Sequence, residues 1–314
     1  MTILITGGAG FIGSNLVSKL LSLQKKILVV DNFLMGNLIN IKHPNLCVIK
    51  ANISNHDEFF EKIDTQKHIS RFEEVFHLAA NSDILKGVKD INVDYENTFN
   101  TTINSLKISK EFNIPNFYFA SSSAIYGDLG KNIKEDAGPL LPISNYGAMK
   151  LASEAIISAA RESFLKNAII FRFPNVVGPP ASHGVIYDFV EKLKNNNTLD
   201  VMGNGSQQKV YLHVEDLIEA MFFIIKKTKN SDICNIFNIG PDDDGITVRD
   251  IAENVVLNIN AKAKIKYGNE DRGWMGDVPK FSYDTTKLKM LGWKRKLSSR
   301  DAVLLAIKQI IKEK

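Results

Sequence analysis

The sequence contains little cysteine. Its 314 residues include only Cys47 and Cys234, which lie far apart and form no Cys-x-x-Cys pair. We therefore expect neither a disulfide framework nor a metal site, because both usually need cysteines in sets. Isolated cysteines are typical of proteins from a reducing compartment, so the sequence predicts a cytoplasmic protein.

Long apolar segments and dense positive charge are also missing. No uninterrupted apolar run approaches about 18 residues, the length of a membrane-spanning helix, and no basic segment precedes the first strand-like residues. These features predict no membrane span and no signal peptide. Lys and Arg total 39 against 35 Asp and Glu, without a Lys/Arg-rich cluster. We expect a small anionic substrate and no nucleic-acid partner.

Short apolar segments rich in β-branched residues alternate with helical patterns over residues 1–173. The apolar segments are hydrophobic throughout, as in strands covered on both faces. The alternation predicts an α/β fold, with a doubly wound parallel-sheet (Rossmann) domain over residues 1–173. The predicted strands are Ile3–Thr6, Ile27–Asp31, Leu46–Lys50, Val75–Ala79, Asn116–Ser121 and Ala168–Phe173, and the predicted helices are Phe11–Leu23, Asp57–Asp64, Val93–Phe112 and Tyr146–Phe164.

The pattern changes after Pro174. Glycine and proline cluster at 178–180, 203–205 and 240–245, with short elements between them. Such clusters mark turns and loops. We expect residues 174–314 to form mainly a smaller, mixed α/β substrate-binding region, with a return to the main sheet within about 210–235, near Val210–Lys227.

A glycine-rich loop from Thr6 to Gly13 (TGGAGFIG) joins the first predicted strand to the first helix. Small residues let the backbone turn tightly and approach a pyrophosphate, whose charge the helix N-terminus stabilises. A tight turn without a ligand is the alternative. The second strand, however, ends in Asp31, whose carboxylate can accept hydrogen bonds from the adenosine ribose and would repel a 2′-phosphate. The sequence therefore predicts NAD as the cofactor, with contacts from Gly7, Gly10, Phe11, Ile12, Gly13 and Asp31.

Tyr146 and Lys150 lie four residues apart, so one face of a helix would carry both. The spacing alone is weak evidence because Tyr283 and Lys287 repeat it, and we interpret that second pair as incidental. Only Tyr146 follows a predicted sheet strand that ends in serines, Ser121–Ser123. A free tyrosine titrates near ~10. We expect the Lys150 ammonium and a positive nicotinamide to lower the pKa of Tyr146 and make it a base.

The chain resembles the extended short-chain dehydrogenase/reductases, in particular the nucleotide-sugar epimerase/dehydratase family. The resemblance runs along nearly the whole chain and is carried by TGGAGFIGS from Thr6, DN at Asp31, HLAA from His77, SSSAIYG from Ser121, YGAMK from Tyr146, FRFPNVVGP from Phe171 and YLHVED from Tyr211. It implies NAD-dependent oxidation at C4 of a nucleotide sugar. It also implies a homodimer held by a four-helix bundle of Val93–Phe112 and Tyr146–Phe164.

The resemblance assigns the catalytic roles to Ser122, Tyr146 and Lys150. Ser122, four residues before the tyrosine of the Ile-Tyr-Gly turn, would hydrogen-bond the reacting oxygen, and Lys150 would also hold the nicotinamide ribose. In the family's 4,6-dehydratases the next two positions are Asp and Glu, and decarboxylating relatives carry Glu at the second. This chain has Ser123 and Ala124 there. Neither moves a proton at neutral pH, so hydride chemistry at C4 is favoured over elimination or decarboxylation.

The resemblance also implies further ligand contacts. Asn52 stands where the family usually has Asp at the adenine, and Lys209 replaces the usual diphosphate Arg, supplying charge without a bidentate fork. His183–Val190 is expected to line the sugar or nucleotide pocket, the ordinary start of an amphipathic helix being the alternative. For Arg272 and Asp277 the alternative is a solvated charge. The remaining implied contacts are Asn32, Ile53, Ala79, Tyr146 and Lys150 to the cofactor, and Ser123, Asn175, Val185, Lys209, Arg272 and Asp277 to the substrate.

Three activities stay open at this point. A 4-epimerase would return the hydride to the other face of a transient 4-keto sugar. A net 4-dehydrogenase would release the ketone, as in the dehydrogenases acting on GDP-heptose in capsule synthesis, which the chain also resembles. A non-catalytic NAD-binding protein is the third alternative. Such proteins typically lack the tyrosine or the lysine, and this chain has both Tyr146 and Lys150.

Overall fold

The computed structural model describes residues 1–34, 36, 42–63, 71–228, 234–273, 278 and 280–313. They belong to two compact units. The first comprises Met1–Ile125, Ser144–Arg172 and Ile224–Phe237, and the second comprises Tyr126–Ile143, Phe173–Phe223 and Asn238–Lys314. None of the helices in the described part of the chain has the length and apolarity that crossing a bilayer requires.

The strands and helices are numbered in chain order. The strands are β1 (Thr2–Thr6), β2 (Lys26–Asp31), β3 (Leu46–Lys50), β4 (Phe72–His77), β5 (Asn116–Ala120), β6 (Asn167–Arg172), β7 (Asn175–Val177), β8 (Thr198–Val201), β9 (Gln208–Lys209), β10 (Tyr211–His213), β11 (Cys234–Asn238), β12 (Ile246–Thr247) and β13 (Lys264–Tyr267). The helices are α1 (Phe11–Ser22), α2 (His56–Ile63), α3 (Ile84–Lys89), α4 (Ile91–Asp94), α5 (Thr101–Glu111), α6 (Asn145–Ser163), α7 (Val185–Asn195), α8 (Val214–Thr228), α9 (Val248–Ile259), α10 (Thr286–Met290) and α11 (Ser299–Lys312).

A seven-stranded sheet, in the order β11-β6-β5-β4-β1-β2-β3, forms the centre of the first unit. The pairings among its first six strands along the chain are parallel. Every residue of β1 is buried, as expected of a strand covered on both faces. This confirms the predicted doubly wound sheet. The strand order reverses between β1 and β4, which opens a crevice at the carboxyl ends of these strands.

Two predicted elements of this unit differ from the structure. The fourth strand is Phe72–His77 rather than Val75–Ala79, because Phe72 already pairs with Thr2. The predicted helix Val93–Phe112 is not continuous, since Tyr95–Asn100 form a π-helical segment between α4 and α5. In this segment the hydroxyl of Thr98 accepts a hydrogen bond from the Asn81 N–H at 3.1 Å. Such wide turns occur frequently at functional sites.

The second unit is built from short strand pairs and helices. Its strands form three two-stranded sheets, β10-β7, β12-β9 and β13-β8, and α7, α9 and α11 pack around a core that includes Ile186, Leu199 and Val303. The strand that returns to the main sheet, β11, begins at Cys234, at the end of the predicted range of about 210–235 and beyond Val210–Lys227. Within that range β10 pairs with β7 instead, and α8 separates it from the strand that joins the main sheet, β11.

A buried histidine connects the sheet to two helices of the first unit. His77, at the end of β4, is 0% exposed. Its Nδ1 lies 2.6 Å from the Thr6 hydroxyl and its Nε2 lies 2.9 Å from the Thr102 hydroxyl. Thr102 in turn donates to Ser153 of α6 at 3.0 Å. Burial, and then the charge of Lys150, lower the pKa of His77 well below its usual value, so this network is uncharged.

We expect the protein to lose stability on acidification through His77. The unfolded chain protonates this histidine near pH ~6.5, whereas the folded protein does not. Below that pH, stability should fall by about 1.4 kcal/mol for each pH unit. The thermal unfolding midpoint, measured from pH 7.5 to about 5.5, should fall less steeply in His77→Gln. The exposed His183 gives the control, and His183→Gln should follow the wild type. A slope in His77→Gln equal to that of the wild type would contradict this assignment.

Candidate functional site

The glycine loop packs its backbone so closely that side chains are excluded at two positions. Gly7 has a φ of +71°, and a Cβ there would lie 2.6 Å from the Ala79 N. A Cβ on Gly13 would lie 2.2 Å from the Gly7 carbonyl oxygen. Gly10 caps α1 and has no side chain to bond the N–H groups of the first turn, which includes Phe11. A helix N-terminus of this kind binds anions such as a pyrophosphate.

Asp31 lies at the carboxyl end of β2 and holds the glycine loop. Its Oδ2 accepts a hydrogen bond from the Ala9 N–H at 2.9 Å, and its Oδ1 accepts from the Phe33 N–H at 2.8 Å. An ionised carboxylate has about four lone-pair sites. Asp31 can therefore accept ribose hydroxyls in addition to these two backbone bonds. Beside it, Asn32 accepts from the Leu34 N–H at 3.1 Å.

A cavity of about 270 Å³ opens beside this loop. It contains six of the predicted cofactor contacts. Asn52 uses its side-chain oxygen to accept from the Ser54 N–H at 3.1 Å. The lining residues are Gly7, Val30, Asp31, Asn32, Leu34, Ala51, Asn52, Ile53, Ala79, Ala80, Asn81, Lys86, Val93, Asn97 and Thr101. The excluded side chains, the helix terminus and the Asp31 carboxylate together fit an adenine dinucleotide. The described residues contain no cluster of ligands suited to a metal ion.

The predicted Ser-Tyr-Lys set comes together at the end of β5. Ser122 follows this strand, hydrogen-bonds Tyr146, and accepts from the Ala124 N–H at 3.1 Å. Tyr146 is the second residue of α6. One turn later, Lys150 is 2% exposed. Its Nζ lies 5.7 Å from the centroid of the Tyr146 ring and donates to the Ala120 carbonyl at 2.6 Å.

Burial shifts the pKa values of this pair in opposite directions. It raises the pKa of Tyr146 to about 12, an effect that the hydrogen bond with Ser122 opposes and the charge of Asp94 reinforces. It lowers the pKa of Lys150 to about 7, against the charges of Glu154 and Asp94. We expected Lys150 and a bound, positively charged nicotinamide together to lower the pKa of Tyr146. The protein's own side chains raise it instead, because loss of solvation penalises the phenolate more than Ser122 stabilises it.

Three buried charged residues of this region were missed by sequence analysis. Glu154 lies one turn after Lys150 and forms an ion pair with Arg172, whose Nη2 is 2.6 Å from Oε2. Asp94 is 0% exposed and its Oδ1 accepts from the Asn81 side chain at 2.7 Å. Burial raises the pKa of Asp94. The four-residue spacing from Lys150 could have pointed to Glu154, but no local pattern marks Asp94.

The remaining predicted substrate contacts are distributed over several elements. Ser123 begins the 3₁₀ helix that follows β5. In the second unit, Asn175 begins β7 and is exposed, Val185 begins α7, and Lys209 ends β9. There, Arg272 is also exposed, with its Nη2 3.5 Å from Asp128 Oδ2. Asp277 lies outside the described residues. Substrate binding by all six residues stays a prediction.

The second Tyr-x-x-x-Lys pair lies in a different environment. Tyr283 is 2% exposed in the second unit. Its ring packs against Phe281 at 4.7 Å and Tyr126 at 6.1 Å between centroids. An aromatic cluster of this kind stabilises a core.

Comparison with known proteins gives consistent matches along the chain. The model of the NAD dependent epimerase/dehydratase family matches residues 3–240. A putative UDP-glucose 4-epimerase of Methanocaldococcus jannaschii is 29% identical over 306 residues, covering 96% of this chain and 95% of that protein. A crystal structure of UDP-galactose 4-epimerase superposes with a TM-score of 0.86 and 33% identity, covering 100% of this chain and 99% of that one. The UDP-glucose 4-epimerase of Thermus thermophilus in complex with NAD gives a TM-score of 0.83 at 27% identity, covering 99% of each chain.

Replacing Asp31 tests the cofactor site. Asp31→Ala removes a charged acceptor, so we expect NAD to bind about tenfold to a hundredfold more weakly, from about 1.5–3 kcal/mol for a charge-assisted hydrogen bond. Any preference for NAD over NADP should narrow as well. Calorimetric titration of both cofactors measures these effects. The exposed Asp57 gives the control variant Asp57→Ala, which should bind like the wild type. Equal affinity of the wild type for NAD and NADP would refute the role of Asp31.

Proposed function

Because this chain belongs to the NAD-dependent epimerase/dehydratase family, we propose that it is a nucleotide-sugar 4-epimerase that works through a transient 4-keto intermediate. The observation that carries the proposal is the Ser122–Tyr146–Lys150 set at the end of β5. The two residues after Ser122 in the chain, Ser123 and Ala124, have no side chain that transfers a proton at neutral pH. The similarity to UDP-glucose and UDP-galactose 4-epimerases supports the same activity.

Oxidation at C4 requires a proton and a hydride to leave the same carbinol group. NAD, when bound, accepts and returns the hydride and adds a positive charge that favours the phenolate. Tyr146 takes the hydroxyl proton at its phenolic oxygen and gives it back when the ketone is reduced. Ser122 hydrogen-bonds the reacting oxygen, and Lys150 supplies positive charge one helical turn from Tyr146. No proton is lost over the cycle.

Elimination of water is disfavoured by the side chains that follow Ser122. A 4,6-dehydratase needs an acid and a base at C5 and C6 in addition to the hydride chemistry. Ser123 and Ala124 lie in the 3₁₀ helix beside Ser122, and neither has a side chain that titrates near neutral pH. A net 4-dehydrogenase would use the same three catalytic residues, and the product assay below separates it from an epimerase.

Six residues are assigned to substrate binding. Lys209 and Arg272 supply positive charge for a diphosphate, Asn175 contacts the substrate phosphates or the sugar, and Val185 lines the sugar or nucleotide pocket. Ser123 is a further substrate contact. Asp277 contacts the ribose, as the family resemblance implies. The chain would act in surface-polysaccharide synthesis.

It would do so as a homodimer. The apolar residues Leu85, Ile91 and Tyr95, which are 46%, 53% and 44% exposed, provide a surface near the predicted four-helix bundle.

Tyr146→Phe tests the catalytic base. The variant keeps the ring but loses the proton acceptor, so we expect hydride transfer to fall by a factor of about 10² or more while the fold and bound cofactor are retained. Stopped-flow absorbance of NADH measures the transfer. Tyr283→Phe makes the same change in the other Tyr-x-x-x-Lys pair and should leave the rate nearly unchanged. A wild-type rate of hydride transfer in Tyr146→Phe would contradict the assignment of Tyr146 as the base.

Product analysis tests the net reaction. The purified protein is incubated with UDP-glucose, UDP-N-acetylglucosamine, GDP-mannose and a GDP-linked heptose, and the products are identified by NMR. We expect a C4 epimer from one of them, formed with catalytic NAD and without solvent hydrogen at C4. A 4-keto product, with at most one turnover per NAD, would identify a dehydrogenase instead. A 4-keto-6-deoxy product or carbon dioxide would overturn the interpretation of Ser123 and Ala124.

A further inference from the structure

The carboxylate of Glu154 is buried next to the catalytic centre and takes no part in the chemistry above. Glu154 is 4% exposed and lies one turn after Lys150 on α6. Arg172, at the end of β6, donates from Nε to Oε1 at 3.0 Å and from Nη2 to Oε2 at 2.6 Å. This fork geometry fixes both partners. A buried ion pair often adds little net stability to a protein. The position of the Glu154–Arg172 pair beside Lys150 therefore points to a role other than stabilising the fold.

Two hydrogen bonds connect α6 to consecutive residues at the end of β5. Lys150 donates to the Ala120 carbonyl at 2.6 Å, and the Ser121 hydroxyl donates to Glu154 Oε1. Ser121 is 1% exposed. The next residue is Ser122. The strand end is therefore held against the helix immediately before the serine that contacts the reacting oxygen.

Several titratable groups face Lys150 from the surrounding elements. His77 lies at the end of β4, Asp94 at the end of α4, and Tyr146 and Glu154 on α6. His77 is neutral because burial lowers its pKa, and Tyr146 is neutral because burial raises its pKa to about 12. Glu154 and Asp94 remain as the negative charges, and Glu154 has the larger effect on the pKa of Lys150.

We propose that Glu154 is a positioning residue of this centre: it holds the strand end that carries Ser122 against α6, and its carboxylate keeps Lys150 in the ammonium form. Arg172 orients Glu154 through the paired hydrogen bonds. The proposal rests on the proposed function for the roles of Ser122 and Lys150, so its test includes a readout that needs no substrate.

NMR titration of the full-length protein measures the charge of Lys150 directly. In protein labelled with ¹³C-lysine, the Cε signal of Lys150 is assigned by its loss in Lys150→Arg. Glu154→Gln removes the carboxylate that favours the ammonium form, so Lys150 should lose its proton at a pH lower by about one unit or more. Glu162→Gln alters an exposed residue of the same helix and should leave the midpoint unchanged. Equal midpoints in Glu154→Gln and the wild type overturn the charge role.

The double variant E154Q/R172Q allows the same titration if Glu154→Gln does not fold. Glu154→Gln alone leaves Arg172 as an unpaired buried cation, which destabilises the protein. The double variant removes both charges and keeps polar side chains of similar length. The carboxylate that raises the pKa of Lys150 is again missing, so the Lys150 midpoint should again fall. If the ion pair were purely structural, removing it would lower the thermal unfolding midpoint and leave the Lys150 titration midpoint unchanged. That result would overturn the proposal.

Ser121→Ala tests the positioning of the strand end. It removes one hydrogen bond and keeps every charge. In a single turnover with the sugar that the wild type accepts, hydride transfer should slow by about tenfold, the effect of one charge-assisted hydrogen bond, with the Lys150 midpoint unchanged. Ser158→Ala changes an exposed serine of α6 and is the control. A wild-type rate in Ser121→Ala overturns the positioning role. If the wild type oxidises no nucleotide sugar, the proposed function fails, and the NMR titration still decides the charge role.

Discussion

The burial of the Lys150 ammonium group is the constraint on which the rest of the catalytic centre depends. Removing this charge from water is strongly unfavourable, and burial lowers the pKa of Lys150 to about 7. The surrounding groups oppose that effect. The Ala120 carbonyl accepts a hydrogen bond from Nζ at 2.6 Å, and the Phe119 ring lies 4.6 Å from Nζ. Glu154 supplies the negative charge with the largest effect on the pKa of Lys150. The ion pair with Arg172 allows Glu154 to be buried in turn.

Close backbone packing shapes the cofactor side of the same sheet. The glycine loop lies so close to the residues that follow β4 and to the start of α1 that Gly7 and Gly13 accept no side chain. Asp31 reinforces this arrangement by bonding the Ala9 N–H. One carboxylate therefore both shapes the loop and faces the cavity that fits the cofactor. The reversal of strand order beside β1 explains why the crevice lies at this edge.

The main features of the sheet could be predicted because they follow from local patterns. Five of the six predicted strands lie within one residue of their observed bounds at each end. The fourth is shifted because pairing with β1 begins at Phe72, and apolar character alone does not reveal where pairing begins. The π-helical segment contains Thr98, which accepts a hydrogen bond from Asn81, 17 residues earlier in the chain, a contact that no local pattern reveals. The return to the main sheet was predicted only as a range of about 210–235, because apolar character does not show which strand pairs with the sheet: β10 pairs with β7, and β11 joins the sheet.

The sequence by itself determined the glycine loop, the acidic end of β2, and the Tyr146–Lys150 spacing, since each depends on residues close in the chain. Through the family resemblance, the sequence also assigned Ser122 to the same catalytic set as Tyr146 and Lys150. Only the tertiary structure decided that Glu154 meets Arg172 and Ser121, and that Asp94 is buried near the same centre. It also decided the pKa directions of Tyr146 and Lys150. These properties depend on solvent exclusion and on contacts between residues far apart in the chain, and both exist only once the helices have packed against the sheet.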